Sequence, residues 1–218
     1  MNTKNCIGID PVLLEAYKAN TGIDIPKAKA CMRDFGIMLL INCINLFIIV
    51  IILPILSMYG YNVCINGWLI LIYIIIFFFL FIGVYGHEKN HRIVTPIDFQ
   101  INTIIRKMYL PNTHNNEPVT KELLIKAAEK AAFGIMRSEW VRLKVGNLGI
   151  NSSKSICLKD RVINTVEKIS RRHRENFRLI MEYLKLFGIE CSETEILRTG
   201  YNMVEKMMID RNLRRTQA

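Results

Sequence analysis

The chain has 218 residues, 51% of them apolar, and its 29 Lys and Arg outnumber its 19 Asp and Glu to give a formal net charge of +10 at pH 7. The charges are unevenly distributed, because residues 35–86 contain no Asp, Glu, Lys, Arg or His. The six cysteines show neither a C-x-x-C pair nor a regular spacing, which argues against a zinc ribbon and a disulfide framework and favours reduced thiols.

The first predicted element is a short helix that begins at Asp10-Pro11 and ends near Gly22. Aspartate is a favoured N-cap, and proline fits the first helical turn because an N–H at that position has no partner within the helix. Residues 1–34 are predicted to form an N-terminal cytoplasmic helical segment. Since this segment is too small to fold alone, we expect it to pack on the C-terminal domain, on the membrane surface or on a partner.

The uncharged stretch, residues 35–86, predicts a transmembrane helical hairpin with spans at about 35–58 and 68–85, because crossing a hydrocarbon core takes about 20 helical residues. A pair of buried helices in a water-soluble protein is the alternative, but such helices normally keep a polar stripe. Positive charges flank the stretch on both sides, and the link between the spans has none. The positive-inside rule therefore predicts a multi-pass protein of the bacterial inner membrane with both termini in the cytoplasm.

Two amide side chains, Asn42 and Asn45, lie within the first predicted span. An unpaired amide is costly in lipid, so we expect both side chains to face the second helix or a partner helix. Intramembrane packing of this kind is preferred here over a transport pathway.

The remaining residues, 87–218, are predicted to form a small, basic, α-helical cytoplasmic domain. Thr95-Pro96 has the form of a helix start, and Ser192 opens a capping box. The predicted helices, with approximate bounds, are 95–109, 120–144, 158–187 and 193–213. The helix at 158–187 has apolar residues three or four positions apart with His173 among them, which predicts a packing seam. The fold class is therefore all-α, a two-helix transmembrane hairpin followed by a small helical cytoplasmic domain.

One short motif has the form of a catalytic metal site. Residues His87-Glu88-Lys89-Asn90-His91 match H-E-x-x-H, in which two histidines one helical turn apart bind zinc and the glutamate activates water. The motif predicts a membrane-bound zinc metalloprotease, with His87 and His91 as metal ligands. A third ligand would have to come from a distant acid such as Glu117 or Glu122.

The position of this motif favours a different interpretation. It lies at the end of the apolar stretch and includes the charged Lys89, where zinc proteases usually have an uncharged residue. We therefore prefer a polar cluster beside the membrane, in which Lys89 and Arg92 contact anionic lipid head groups. On this interpretation we expect no catalytic residue, no cofactor and no bound metal.

A second cluster is strongly basic, and its cations are Arg171, Arg172, Arg174 and Arg178. Glu167 and Glu175 lie within a turn of several of them and are expected to neutralise part of this charge. Three interpretations stay open, in decreasing order of preference. They are a solvated helix face, contact with an acidic partner or anionic lipid, and contact with nucleic-acid phosphates.

The layout of the chain resembles that of the surface exclusion proteins of I-type conjugative plasmids. The shared features are a short helical N-terminus that opens with Met1-Asn2-Thr3-Lys4-Asn5-Cys6, a tight hairpin at residues 35–85 and a basic helical C-terminal domain. Members of that family lie in the inner membrane of the recipient cell. They block redundant DNA transfer by recognising a membrane component of the donor's transfer machinery.

This resemblance implies a recognition protein and not an enzyme, whose partner is a membrane protein of a conjugative transfer apparatus. It assigns no role to any single residue. The sequence is also compatible with a homo-oligomer, and nucleic acid is the least favoured of the partners considered. Two other functions are kept as alternatives: an accessory membrane subunit of a secretion or lysis system, and the zinc metalloprotease described above.

Overall fold

A computed structural model of the protein describes residues 8–47, 51, 55, 58–60, 67–111, 117–149 and 152–216. Within these residues the fold is all-α, as predicted, with six α-helices, one π-helical segment and no β-strand. The elements are α1 (Pro11–Thr21), α2 (Ile25–Phe47), α3 (Gly67–Phe99), the π-helical segment (Gln100–Tyr109), α4 (Lys121–Gly146), α5 (Ser153–Leu186) and α6 (Glu193–Thr216).

The chain divides into two compact units. One unit comprises residues 24–98 and is called the helical pair, because it contains α2 and nearly all of α3. The other joins the residues up to 23 with those from 99 onward and is called the helical bundle. The N-terminal helix α1 therefore belongs to the same unit as the C-terminal helices.

Helix α1 begins and ends where the sequence predicts. The Asp10 carboxylate accepts a hydrogen bond from the amide of Val12 at 3.0 Å, which caps the N-terminus. At the other end Gly22 has a φ of 71° and donates its amide to the carbonyl of Lys18. Glycine is favoured at this position because it adopts a left-handed conformation without a steric cost.

The buried side of α1 packs on the end of α5. The rings of Tyr17 and Phe187 lie 5.6 Å apart between centroids. The amide of Asn20 donates to the carbonyl of Leu186 at 3.0 Å, and this bond satisfies a carbonyl in the last turn of α5. Of the three predicted locations for the N-terminal segment, the one on the C-terminal helices is therefore present.

A buried arginine holds the segment before α1 to the segment before α4. The Arg106 guanidinium donates to the carbonyl of Gly8 at 2.6 Å and to that of Glu117 at 2.7 Å. Backbone hydrogen bonds from Asp10 to Val119 and from Val119 to Gly8 join the same two segments. Burial lowers the pKa of Arg106, and the nearby Glu117 carboxylate acts in the opposite direction.

The helix predicted to begin at Thr95-Pro96 does not begin there. Pro96 lies inside α3, which starts at Gly67 and continues directly into the π-helical segment. A proline removes one backbone donor from the helix ladder, and here the ladder widens to the π form four residues later. The predicted end of this helix at Tyr109 is correct.

The core of the helical bundle is built on small residues of α4. Ala127, Ala128, Ala131 and Ala132 are all fully buried. A Cβ atom added at Gly200 of α6 would lie only 2.7 Å from the backbone carbon of Ala132. The alanines and this glycine therefore allow the backbones of α4 and α6 to approach closely.

The packing seam of α5 extends over only its second half. The buried residues of this helix begin at Ser170 and include Phe177, Ile180 and Leu184. Leu158, which the periodicity places in the seam, is 64% exposed. The prediction of a seam is therefore confirmed after Ser170, whereas before it Val162 and Val166 are only half-buried and Leu158 is exposed.

In the helical pair, α2 and α3 contact one another through a phenylalanine. The Phe35 ring lies against Gly83, where an added Cβ would be 2.7 Å from its Cε2 atom. The same ring is 5.0 Å from the imidazole of His87 between centroids. Several large apolar side chains of α2 are exposed, among them Ile37, Leu40, Ile41 and Ile44.

Within the described residues, none of the helices is both long and apolar enough to cross a membrane. The predicted location, a multi-pass protein of the bacterial inner membrane with both termini in the cytoplasm, is therefore wrong. The predicted spans also differ from the helices. Helix α2 begins ten residues before Phe35 and includes charged side chains.

Candidate partner-binding site

The two histidines of the H-E-x-x-H motif lie on α3, one helical turn apart, with their ring centroids separated by 6.1 Å. The glutamate between them is engaged elsewhere, because the Glu88 carboxylate forms an ion pair with Arg92 at 2.5 Å. The ring of His87 packs on Phe35, as described above. Lys89 is exposed, and so is the guanidinium of Arg92.

No group of three or more His, Cys, Asp or Glu side chains that could hold a metal ion occurs among the described residues. The two acids considered as a third ligand have local roles in the helical bundle. Glu117 supplies a backbone carbonyl to Arg106. Glu122 lies in the first turn of α4, where hydrogen bonds from its own amide and from Thr120 lower the pKa of its carboxyl.

The basic cluster lies on α5, which has nine Lys and Arg against four Asp and Glu and so a formal charge of +5. All four arginines of the cluster are exposed. Among the described residues, only Arg174 of the cluster forms an ion pair, and its partner is Glu139 of α4 at 2.6 Å. Glu139 also binds Arg142 at 3.1 Å and accepts a hydrogen bond from Ser170 at 3.2 Å.

The other three arginines of the cluster, Arg171, Arg172 and Arg178, form no ion pair with any described carboxylate. Glu167 and Glu175, which the sequence places within a turn of them, form none either. No direct ion pair among the described residues therefore neutralises these three arginines, although Glu167 and Arg171 line the same depression. Three guanidinium groups of α5 are exposed to the solvent without an ion pair to a described residue. The fourth, that of Arg174, is bound by Glu139 of α4.

The arginines also border a row of depressions along α5. A depression of about 320 Å³ is lined in part by Arg171 and Arg174. The next, of about 410 Å³, lies between Arg174 and Arg178. Its apolar lining comes from Ile135, Met136, Phe177 and Leu197. A third, of about 830 Å³, begins at Arg178 and extends to the turn before α6.

His173 lies among these arginines in sequence, but its side chain is half-buried. The hydroxyl of Tyr109 lies 2.9 Å from its Nδ1 atom, and the amide of Asn176 donates to the same hydroxyl at 3.2 Å. Burial lowers the pKa of His173, and the neighbouring Arg172 adds to that shift. His173 is therefore neutral at pH 7 and does not belong to the cationic surface.

Sequence reasoning did not identify the residues that contact His173. Tyr109 is 64 residues away, and no local pattern connects it with the histidine. Gly134 lies against the ring, since an added Cβ there would be 2.6 Å from the imidazole. Asn176, three positions further along the same helix, bonds the Tyr109 hydroxyl and not the imidazole.

The remaining predicted residues are placed as follows. The side-chain amide of Asn42 donates to the carbonyl of Met38 in its own helix at 2.8 Å. The side chain of Asn45 lies outside the described residues. The described cysteines, Cys31, Cys43, Cys157 and Cys191, are all free thiols.

Comparison with models of protein families, with curated protein sequences and with solved structures finds no match to this chain.

Proposed function

We propose that this protein is a recognition protein of plasmid surface exclusion, which blocks redundant DNA transfer into a cell that already has the plasmid. It does so by binding a membrane protein of the conjugative transfer apparatus. The family resemblance of the whole layout suggests this role, and it assigns no enzymatic activity. The single observation that supports a binding surface is the set of three exposed, unpaired arginines on α5.

Unpaired surface arginines are well suited to recognition. A guanidinium offers five donors in a rigid planar arrangement, so it binds a carboxylate with two parallel hydrogen bonds. Arginine is also enriched among the residues that dominate the energy of protein interfaces. Because Arg171, Arg172 and Arg178 have no carboxylate partner within the described chain, binding an acidic partner breaks no existing ion pair.

The depression between Arg174 and Arg178 adds an apolar component to this surface. Its lining contains Phe177 and Leu197, whose side chains can receive an apolar group of the partner. The partner segment expected here has acidic side chains next to one or two large apolar ones. Charge at the rim then favours rapid association and discriminates against basic surfaces, whereas the apolar contact favours a slow dissociation.

The test is a conjugation assay with the protein expressed in the recipient cell. The variant Arg171→Gln/Arg172→Gln/Arg178→Gln removes the three unpaired charges and keeps the helix propensity. Exposed ion pairs contribute about 0.5 kcal/mol each, so three of them correspond to a loss of about tenfold in affinity for the partner. We expect the wild type to reduce uptake of the cognate plasmid and the variant to restore much of that uptake.

A matched control removes three other exposed cations, as Lys121→Gln/Lys126→Gln/Lys206→Gln. These side chains lie on α4 and α6 and form no ion pair with a described residue. The control variant should exclude the cognate plasmid as well as the wild type does, and uptake of an unrelated plasmid should be the same in all strains. Equal uptake of cognate and unrelated plasmids by cells with the wild-type protein rejects the proposed function.

A further inference from the structure

A further cavity, open to the surface of the helical bundle, is formed by residues of the π-helical segment, α4, α5 and α6, and its volume is about 640 Å³. This volume is within the range of about 300 to 1,000 Å³ that is usual for small-molecule sites. Half of its lining residues are apolar, namely Met108, Phe133, Val141, Val166, Ile169 and Met203. Two of these are methionines, whose flexible side chains adapt to ligands of irregular shape.

The charged groups of this cavity are all of one sign. Lys130 and Arg137 line it, and no Asp or Glu does. Neither cation forms an ion pair with a described residue. In the neighbouring depression, by contrast, Glu139 binds both Arg142 and Arg174. The cavity therefore has two cations whose charge is not balanced from within the described protein, next to an apolar wall.

A buried polar network forms one side of the cavity. Tyr109 is 4% exposed and Asn176 is 9% exposed, so both must satisfy their polar atoms internally. The Asn176 amide donates to the Tyr109 hydroxyl, and the only described acceptor for the hydroxyl hydrogen is Nδ1 of His173. This arrangement leaves the imidazole hydrogen on Nε2 of His173. The histidine is thereby fixed as a hydrogen-bond donor at the cavity.

The backbone of α4 is adapted to this histidine. An added Cβ at Gly134 would lie within 2.8 Å of three atoms of the imidazole ring, so only glycine leaves room for the ring at this position. The adjacent Ser138 hydroxyl, which also lines the cavity, donates to the carbonyl of Gly134 at 2.8 Å. Several side chains and one backbone position thus hold the His173 ring in place.

We infer that this cavity binds an amphipathic anion, a molecule with one acidic head group and an apolar chain. The head group lies at Lys130 and Arg137, within reach of the imidazole donor, and the chain packs along Met108, Ile169 and Met203. The site adjoins the depression at Arg171 and Arg174, with which it shares Ser138 and Val166, but none of the three arginines of the α5 surface lines it.

The ligand class is tested by titrating the purified full-length protein, with ¹³C-labelled methionine methyl groups, against three probes. Dodecanoate has both an acidic head and an apolar chain, dodecanol has the chain alone, and acetate has the acid alone. We expect dodecanoate to shift the methyl signals of Met108 and Met203 in a saturable way, with Met136 and Met181 unchanged. Dodecanol and acetate should bind at least about fivefold more weakly, since each lacks one of the two contributions.

The head-group position is tested with two matched pairs of variants. Lys130→Gln should weaken dodecanoate binding about threefold, whereas Lys126→Gln, one turn earlier on the exposed side of α4, should not. Ile169 is 46% exposed at the edge of the cavity and tolerates a polar side chain. Ile169→Glu should abolish dodecanoate binding by repulsion, and Ile169→Gln should weaken it less.

Three results would overturn the inference. The first is the absence of a saturable shift at Met108 and Met203 with dodecanoate. The second is equal binding of dodecanol and dodecanoate, which would show that the cations take no part. The third is an equal loss of dodecanoate binding in Lys126→Gln and Lys130→Gln, or in Ile169→Gln and Ile169→Glu. Circular dichroism of each variant separates lost binding from lost folding.

Discussion

Helices pack differently in the helical pair and in the helical bundle. In the pair, Gly83 of α3 faces the ring of Phe35, a side chain that can move. In the bundle, Gly200 of α6 faces the backbone of Ala132, which cannot move without displacing α4. The pair also exposes large apolar side chains of α2, whereas the bundle buries small ones of α4. Stability in the bundle therefore depends on close backbone approach and on buried polar contacts.

The largest effect is expected from the buried arginine of the bundle. Arg106→Leu removes the donor that serves the carbonyls of Gly8 and Glu117. Hydrogen bonds from a charged group contribute about 1.5 to 3 kcal/mol each, so we expect a loss of about 3 kcal/mol in the free energy of unfolding. Urea unfolding followed by the fluorescence of Trp140, in a Trp68→Phe background, reports on the bundle.

The same substitution at the next residue is the control for Arg106→Leu. Lys107 is exposed, and Lys107→Leu should change the unfolding free energy by less than about 0.5 kcal/mol. In Arg106→Leu, the amides of α1 should be the first to lose protection from hydrogen exchange, because the arginine holds the segment that precedes this helix. Equal stabilities of the two leucine variants would contradict the role given to Arg106.

A smaller effect is expected from the glycine between α4 and α6. Alanine is favoured over glycine in a helix by about 1 kcal/mol, but at Gly200 the new methyl group meets backbone atoms at 2.7 to 2.8 Å. Overpacking costs about 1 to 3 kcal/mol, so Gly200→Ala should destabilise the bundle by about 2 kcal/mol or less. Urea unfolding monitored by Trp140 measures the change.

Two further glycines sharpen this comparison. A Cβ at Gly36 of α2 meets nothing within 4 Å, so Gly36→Ala should stabilise its helix by up to about 1 kcal/mol. The change in stability for Gly83→Ala should lie between those for Gly36→Ala and Gly200→Ala, since the Phe35 ring can rotate away from the new methyl group. Hydrogen exchange at the amides of α2 and α3 measures both. A greater loss of stability in Gly83→Ala than in Gly200→Ala would refute the proposed difference in packing between the pair and the bundle.

Short-range chemistry made the helix ends predictable. The Asp10 cap and the helix end just before Gly188 each depend on a few consecutive residues, and the structure has both. The continuation of α3 through Pro96 was not predictable in this way. A proline often starts a helix, and the local sequence does not reveal that the preceding helix continues through it.

Long-range contacts limited what could be predicted about the surface and the cavity. Local spacing suggested that Glu167 and Glu175 neutralise the arginine cluster, yet the ion pair that forms joins Arg174 to Glu139, 35 residues away. His173 was correctly placed in the packing seam by its periodicity. Its hydrogen bond to Tyr109 depends on how α5 meets the π-helical segment, and helical periodicity contains no information on that arrangement.

The smallest effect is expected from the histidine, and it appears only in acid. The usual pKa of histidine is 6.5, and burial together with Arg172 lowers the value of His173 in the folded protein. As the pH falls below about 6.5, the unfolded chain takes up the proton first, so this group removes stability until the folded-state pKa is passed. The Tyr109 hydroxyl faces the imidazole, and burial raises its pKa, so Tyr109 stays neutral across this range.

Between pH 7 and pH 5 the wild type should therefore lose more bundle stability than His173→Gln, as measured by urea unfolding at Trp140. The variant is expected to be less stable than the wild type at pH 7, because glutamine fills less of the space beside Gly134 and packs less well there. The difference should narrow as the pH falls, since the loss of stability that comes from His173 is absent from the variant. His91→Gln, at an exposed histidine of the helical pair, should give the wild-type pH dependence. Parallel curves for wild type and His173→Gln would mean that burial and Arg172 do not favour the neutral imidazole in the folded bundle.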